Sequence, residues 1–80
     1  MSFEEAIQVF GDPFLLTVQD RIEGGEYRWQ AFGFAHNTLV MVAYTAWEEG
    51  DDDDATEVIR LISARKATSR ERRRYEQENR

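Results

Sequence analysis

Leu39 to Tyr44 is an uninterrupted apolar run, Leu-Val-Met-Val-Ala-Tyr, bounded by the polar pair His36-Asn37 on one side and by the acidic segment from Glu48 to Asp54 on the other. A run this short and this apolar reads as a central strand covered on both faces, or on one face and a rim. In a chain of 80 residues that reading constrains everything else. The strand needs hydrogen-bonding neighbours, and its side chains need something packed against them.

The neighbours follow from the turn signals. Phe14-Leu15-Leu16-Thr17-Val18 is β-prone, Gly24-Gly25 marks a turn, and Tyr27 to Phe34 follows as a second strand. Beyond the acidic segment, which is too polar to bury, Val58-Ile59-Arg60-Leu61-Ile62-Ser63 forms a fourth. Strands are therefore expected at about 14–19, 26–34, 38–47 and 57–64, joined as a meander. Strict alternation puts Arg60 on the face opposite Ile59 and Leu61, together with Val58 and Ile62.

Two helices supply the cover. Ser2 with Glu5 forms a capping box, Phe3, Ala6, Ile7 and Phe10 make one apolar stripe, and Gly11-Asp12-Pro13 ends the element, predicting a helix over 2–10. Thr68 with Glu71 is a second capping box. It opens a helix over 68–79 that carries Arg70, Arg72, Arg73, Arg74 and Tyr75 but no apolar stripe, so Ala67 and Tyr75 are its expected anchors. The fold class is α+β: a single domain with a small, mostly antiparallel four-stranded sheet flanked by an N-terminal and a C-terminal helix.

Composition narrows the function. With 41% hydrophobic residues the chain is on the globular side, and its lack of cysteine leaves no disulfide or thiolate site and suits the cytoplasm. No apolar run approaches the roughly 20 residues a bilayer requires, and Ser2-Phe3-Glu4-Glu5 lacks the basic region of a signal peptide, so no membrane role is expected. The net charge of −6 disfavours a nucleic-acid partner only as an average. Residues 1–59 carry −11 and residues 60–80 carry +5, so the basic end can still face an anion.

Several residues are candidates for chemistry. Asp51 to Asp54 fails as a calcium loop, because Ile62 stands where the closing glutamate belongs, and reads as a solvated hairpin loop. His36 is the sole histidine and falls in a turn, so neither a histidine pair nor a zinc site can be built. Arg60, Arg65 and Lys66 precede the helix that opens at Thr68, where cationic donors and a helix N-terminus can converge on an anion. Arg28 joins them if strand register puts it on the same face. For Arg60 the competing reading is an ion pair across the sheet. Tyr75 is either a core anchor or a stacking or proton-handling group. Arg72 to Arg74 read mostly as a solvated face, with Arg72–Glu76 and Arg74–Glu78 in i,i+4 spacing.

The run Arg60-Leu61-Ile62-Ser63-Ala64-Arg65-Lys66-Ala67-Thr68, followed by Glu71-Arg72 and Tyr75-Glu76, resembles the C-terminal signature of the BrnT family of toxins. Ser2-Phe3-Glu4-Glu5-Ala6, Val9-Phe10 and Asp12-Pro13 are similar to that family's helical segment, and Gly25-Glu26-Tyr27-Arg28 with Gly33 to the strand after it. The resemblance implies a RelE-like ribonuclease toxin of a type II toxin–antitoxin pair, neutralised by a DNA-binding antitoxin. It further implies RNA cleavage without metal or cofactor, by attack of the ribose 2′-OH on the adjacent phosphate. Arg60 and Arg65, with Arg28 assisting, would then meet the phosphorane, Glu71 or Tyr75 would serve proton transfer, and Lys66 and Arg72 would bind RNA.

Two departures from the family pattern bear on this. The family's usual segment ahead of Ser2 is missing, so a truncated N-terminus is expected, with an exposed sheet edge that favours homo-oligomers. The family's His-Thr-x-Arg sequence reads Tyr44-Thr45-Ala46-Trp47, where Trp47 could stack on a base or cap the core. The alternative function is a catalytically inactive antitoxin-binding or RNA-binding module.

Overall fold

The computed structural model describes residues 1–24 and 26–79, so Gly25 of the expected Gly24-Gly25 turn lies outside the described residues. The architecture is the α+β meander. Strands β1 (Leu16–Glu23), β2 (Glu26–Ala35), β3 (Thr38–Glu49) and β4 (Thr56–Lys66) form one antiparallel sheet in that order. Helix α1 (Phe3–Ile7) and a following 3₁₀ turn (Gln8–Gly11) precede it, and helix α2 (Ser69–Glu78) closes the chain.

Alternation along the Leu39–Tyr44 run distributes it between two cores. Val40, Val42 and Tyr44 join Ala31 and Ala35 beneath Ala6 and Val9 on what we call the α1 face. Leu39 and Met41 join Phe32 beneath Tyr75 on the α2 face. The central strand is thus covered on both sides, as an all-apolar strand requires. Ala67 packs beside Tyr75, so the two residues expected to anchor α2 both do so.

Element ends depart from the expected ones for local reasons. The first helix is α-helical only to Ile7, then tightens into the 3₁₀ turn that seats fully buried Val9 on the sheet. That approach depends on Gly33, where an added Cβ would lie 2.8 Å from the Val9 carbonyl oxygen and 3.0 Å from its Cγ1. Strand β1 starts at Leu16 and not Phe14, because Asp12 turns the chain: its Oδ1 accepts from the Phe14 amide at 2.8 Å and its carbonyl from the Leu15 amide at 3.0 Å. The His36-Asn37 turn joins β2 to β3 with Ala35 opposite Thr38, and His36 takes the left-handed conformation at φ 56°. Asp51 to Asp54 is the exposed β3–β4 turn.

Two irregularities change which residues share a face. The register shifts between Gln19 and Arg21 in β1, and between Ser63 and Leu61 in β4, where Ala43 and Tyr44 are consecutive partners. Each inserts one unpaired residue, Asp20 or Ile62, and reverses the alternation beyond it. Arg60 and Val58 share a face as expected; Ile62 lines a cleft beside Arg60 but, being unpaired, does not continue the paired row. Ser63 and Arg65 do, opposite Ala43 and Met41.

The sheet is longer than its cover. Twelve residues of β3 span about 40 Å at the usual strand rise, matching the molecule's longest dimension of 40 Å. The ten residues of α2 reach only about 15 Å. More than half of the α2 face, toward the β1–β2 and β3–β4 turns, is therefore open. Substituting Gly33→Ala forces the 3₁₀ turn off β2 and is expected to cost about 1–3 kcal/mol, measured as a lowered midpoint in urea unfolding.

Candidate functional site

The open half of the α2 face is where the arginines gather. Arg21 is opposite Arg28, Arg28 opposite Thr45, and Thr45 opposite Arg60, so one row crosses all four strands. Register thus puts Arg28 on the same face as Arg60, and the β1 irregularity adds Arg21. Arg60 is exposed and Arg28 half-buried, whereas Thr45 between them is buried. A shallow cleft of about 260 Å³ lies here, lined by Glu26, Arg28, Thr45, Arg60 and Ile62. Two strand spacings separate Arg28 from Arg60, about 10 Å between Cα atoms. Like charges at that distance in water repel by only about 0.4 kcal/mol, so the fold tolerates both while an anion between them gains from each.

Arg65 lies on the same face about 13 Å further along the sheet, opposite Met41. It is held in place. Its Nη1 donates to Glu71 Oε1 at 2.8 Å and to the Lys66 carbonyl at 3.1 Å, and its Nη2 donates to Glu71 Oε2 at 3.0 Å. The same Glu71 carboxylate accepts from the Thr68 amide at 2.8 Å, closing the capping box of α2. Hydrogen bonding to Arg65, against opposing desolvation, holds the Glu71 carboxyl below its usual range, and the same bond raises Arg65. Of the five guanidinium N–H donors, Nε–H and one on Nη2 are not used in these bonds and the side chain is half exposed.

Tyr75 lies below this surface. Its hydroxyl donates to Asp12 Oδ2 at 2.6 Å, and the same oxygen accepts from the Phe34 amide at 2.8 Å. Burial, together with the hydrogen bond and charge of Asp12, pushes the Tyr75 phenol up to about 12. Burial tends to raise Asp12, but the Tyr75 hydroxyl and the amides of Phe14 and Phe34 outweigh it and hold the carboxyl below its ordinary value. Arg72 stacks its guanidinium 5.8 Å from the centroid of the Phe34 ring and reaches Glu76 at 3.9 Å. Lys66 occupies the position opposite Val40, on the α1 face.

Of the candidates named from sequence, Arg28 and Arg60 thus share the cleft, while Arg65 lies beyond it on the same face with Glu71 and Arg72 of α2. Tyr75 is enclosed beneath, and Lys66 is on the other side of the sheet. Sequence reasoning did not single out Arg21, Glu26 or Thr45. Arg21 fell beyond the expected end of β1. Thr45 was visible only as the retained threonine of Tyr44-Thr45-Ala46-Trp47, and its place between two arginines depends on register. Trp47, half-buried opposite Val58, donates its Nε1–H to Glu49 Oε1 at 2.8 Å.

Fold and face together define a small α+β protein with a cationic, uncovered sheet surface. The chain belongs to the BrnT family: the model for the ribonuclease toxin, BrnT, of type II toxin-antitoxin system matches residues 1–71. No curated protein matches the chain. Membership implies an RNA target and an antitoxin partner. Among the described residues no helix is long and apolar enough to cross a membrane.

The Asp12–Tyr75 bond yields a signed pH prediction. A phenol raised to about 12 in the fold, against about 10 unfolded, contributes stability that is complete below pH 10 and lost as pH rises toward 12. Tyr75→Phe should remove this alkaline loss and cost about 1–3 kcal/mol at neutral pH, read from urea unfolding across pH. Asp12 contributes with the opposite sign: its stabilisation is present above the ordinary carboxyl value and disappears as acid protonates it.

Proposed function

We propose that this chain is a metal-independent endoribonuclease toxin of the cytoplasm, which binds single-stranded RNA on the open half of the α2 face and is silenced when a DNA-binding antitoxin covers that face. The observation that carries the reading is the row formed by Arg21, Arg28, Thr45 and Arg60, with Arg65 on the same face beyond it. A phosphodiester in the cleft would meet guanidinium groups from β2 and β4 at once, a geometry suited to charge-assisted hydrogen bonds.

In the reaction the ribose 2′-oxygen attacks the adjacent phosphorus and the bond to the 5′-oxygen breaks. The products are a 2′,3′-cyclic phosphate and a 5′-hydroxyl, the 2′-OH proton leaving to a base and another arriving at the 5′-oxygen. Charge grows on the non-bridging oxygens in the transition state, where fixed cations have their largest effect. We assign that role to Arg28 and Arg60, and contacts with neighbouring phosphates to Arg65 and Arg72. Glu71 aims Arg65 and Tyr75 anchors α2, a division supported by their hydrogen bonds. Glu26, the carboxylate among the cleft's lining residues, is our candidate proton acceptor. Lys66 is left outside the site.

A binding module without turnover is the second reading, favoured by the engagement of both Glu71 and Tyr75 in structural hydrogen bonds. Association of two copies also belongs to the proposal, supported by the outer position of β4, where Ile59 and Ile62 are exposed. Incubating purified protein with end-labelled RNA and a chelator should give cyclic-phosphate and 5′-hydroxyl ends. Arg60→Ala should lower kcat/KM by about 10²–10³. Salt-dependent binding with uncut RNA would establish the second reading, and absence of binding would overturn both.

A further inference from the structure

The cleft contains a group that the arginines leave unexplained. Thr45 is 6% exposed, and its Oγ1 is buried with no hydrogen-bond partner among the described residues. Buried hydroxyl groups nearly always find partners, because the solvation lost on burial is otherwise not recovered. A valine would fill the same space on a central strand without that cost. Yet the threonine lines the cleft, flanked by a cation on either neighbouring strand.

We infer that Thr45 is the central hydrogen-bond donor of an oxyanion site, in which its Oγ1 and the Arg28 and Arg60 guanidinium groups take a non-bridging oxygen and its neighbours on one phosphodiester. The inference deepens the RNA-binding reading of this face and rests on it. The two arginines, with long side chains, attract a phosphate anywhere along the row, Arg60 from an exposed position and Arg28 from a half-buried one. A short hydroxyl on the central strand adds direction, since it donates from one fixed point on the cleft floor. Glu26, the other charged residue lining the cleft, repels an anion and confines it to the Thr45 row. The hydroxyl carries essentially no exposed surface in the free chain, so it meets the anion through rotation about χ1 or sideways displacement of the flanking arginine side chains. Side-chain motions of that kind are fast.

The test compares Thr45→Val and Thr45→Ser in the full chain, by thermal unfolding and by fluorescence anisotropy with a short randomised 2′-O-methyl oligoribonucleotide, which cannot be cleaved. Thr45→Val should raise the Tm by about 4 °C or more, by removing an unsatisfied buried group, while weakening oligonucleotide binding about tenfold. Thr45→Ser should keep the parent's affinity. Parent-like binding by Thr45→Val would overturn the inference, and so would a lowered Tm, which would mean that the hydroxyl serves the fold. A sulfate titration followed by amide chemical shifts separates this site from the RNA reading. If the parent ignores the oligonucleotide but sulfate moves the Arg28, Thr45 and Arg60 resonances in the parent and not in Thr45→Val, the anion site stands and the RNA reading falls. No sulfate response in the parent overturns the site itself.

Discussion

The Asp12 carboxylate gathers parts of the chain that have no other reason to meet. It accepts from the Phe14 amide beside it, from the Phe34 amide 22 residues away in β2, and from the Tyr75 hydroxyl 63 residues away in α2. Withdrawing a carboxylate from water is costly, and three well-placed donors offset that cost. The consequences spread outward. The turn at Asp12 delays β1 until Leu16, Phe34 is satisfied at a point on β2 that β1 does not reach, and Tyr75 is fixed over Phe32, Leu39 and Met41. Because α2 is held at that end of the sheet, the other end stays open.

Cover and opening are therefore one arrangement. The two helices bury both faces of the apolar run in β3 at one end, which supplies the stability of a small domain. The longer strands continue past them and carry a polar row into solvent. That row is built by irregularity. In a regular strand Arg60 and Arg65, five apart, would point to opposite faces, and the residue inserted at Ile62 brings them together. The residue inserted at Asp20 does the same for Arg21 relative to Val18. Strand irregularities that re-aim side chains beside a binding surface are a recurrent use of the bulge.

Charge follows the same logic of place over total. A net charge of −6 coexists with arginines from three strands in one row, because the carboxylates of the β3–β4 turn lie at the end of the hairpin and Glu71 is committed to Arg65 and the α2 cap. Membership of a ribonuclease-toxin family fits a surface of this kind. A buried polar group with no partner among the described residues, such as the Thr45 hydroxyl, is expected where a protein keeps groups for a ligand.

Much of the fold was legible in the residues, since it rests on interactions near in sequence. The all-apolar run from Leu39 to Tyr44 required a central strand, Ser2–Glu5 and Thr68–Glu71 marked the helix starts, and His36-Asn37 marked a turn. Each depends on a few neighbouring residues, so a linear reading could find it. The same reading named Arg28, Arg60 and Arg65 as candidates but could not say whether they shared a surface. Face membership reverses with a single inserted residue, and the insertions at Asp20 and Ile62 leave no mark in composition or periodicity. Nor could it see Tyr75 joined to Asp12, or Thr45 set between two arginines, because those neighbours are chosen by cross-strand register and helix docking. The sequence by itself determined the elements and their order. Only the tertiary structure decided which side chains face one another, because hydrogen bonds between distant segments set the register.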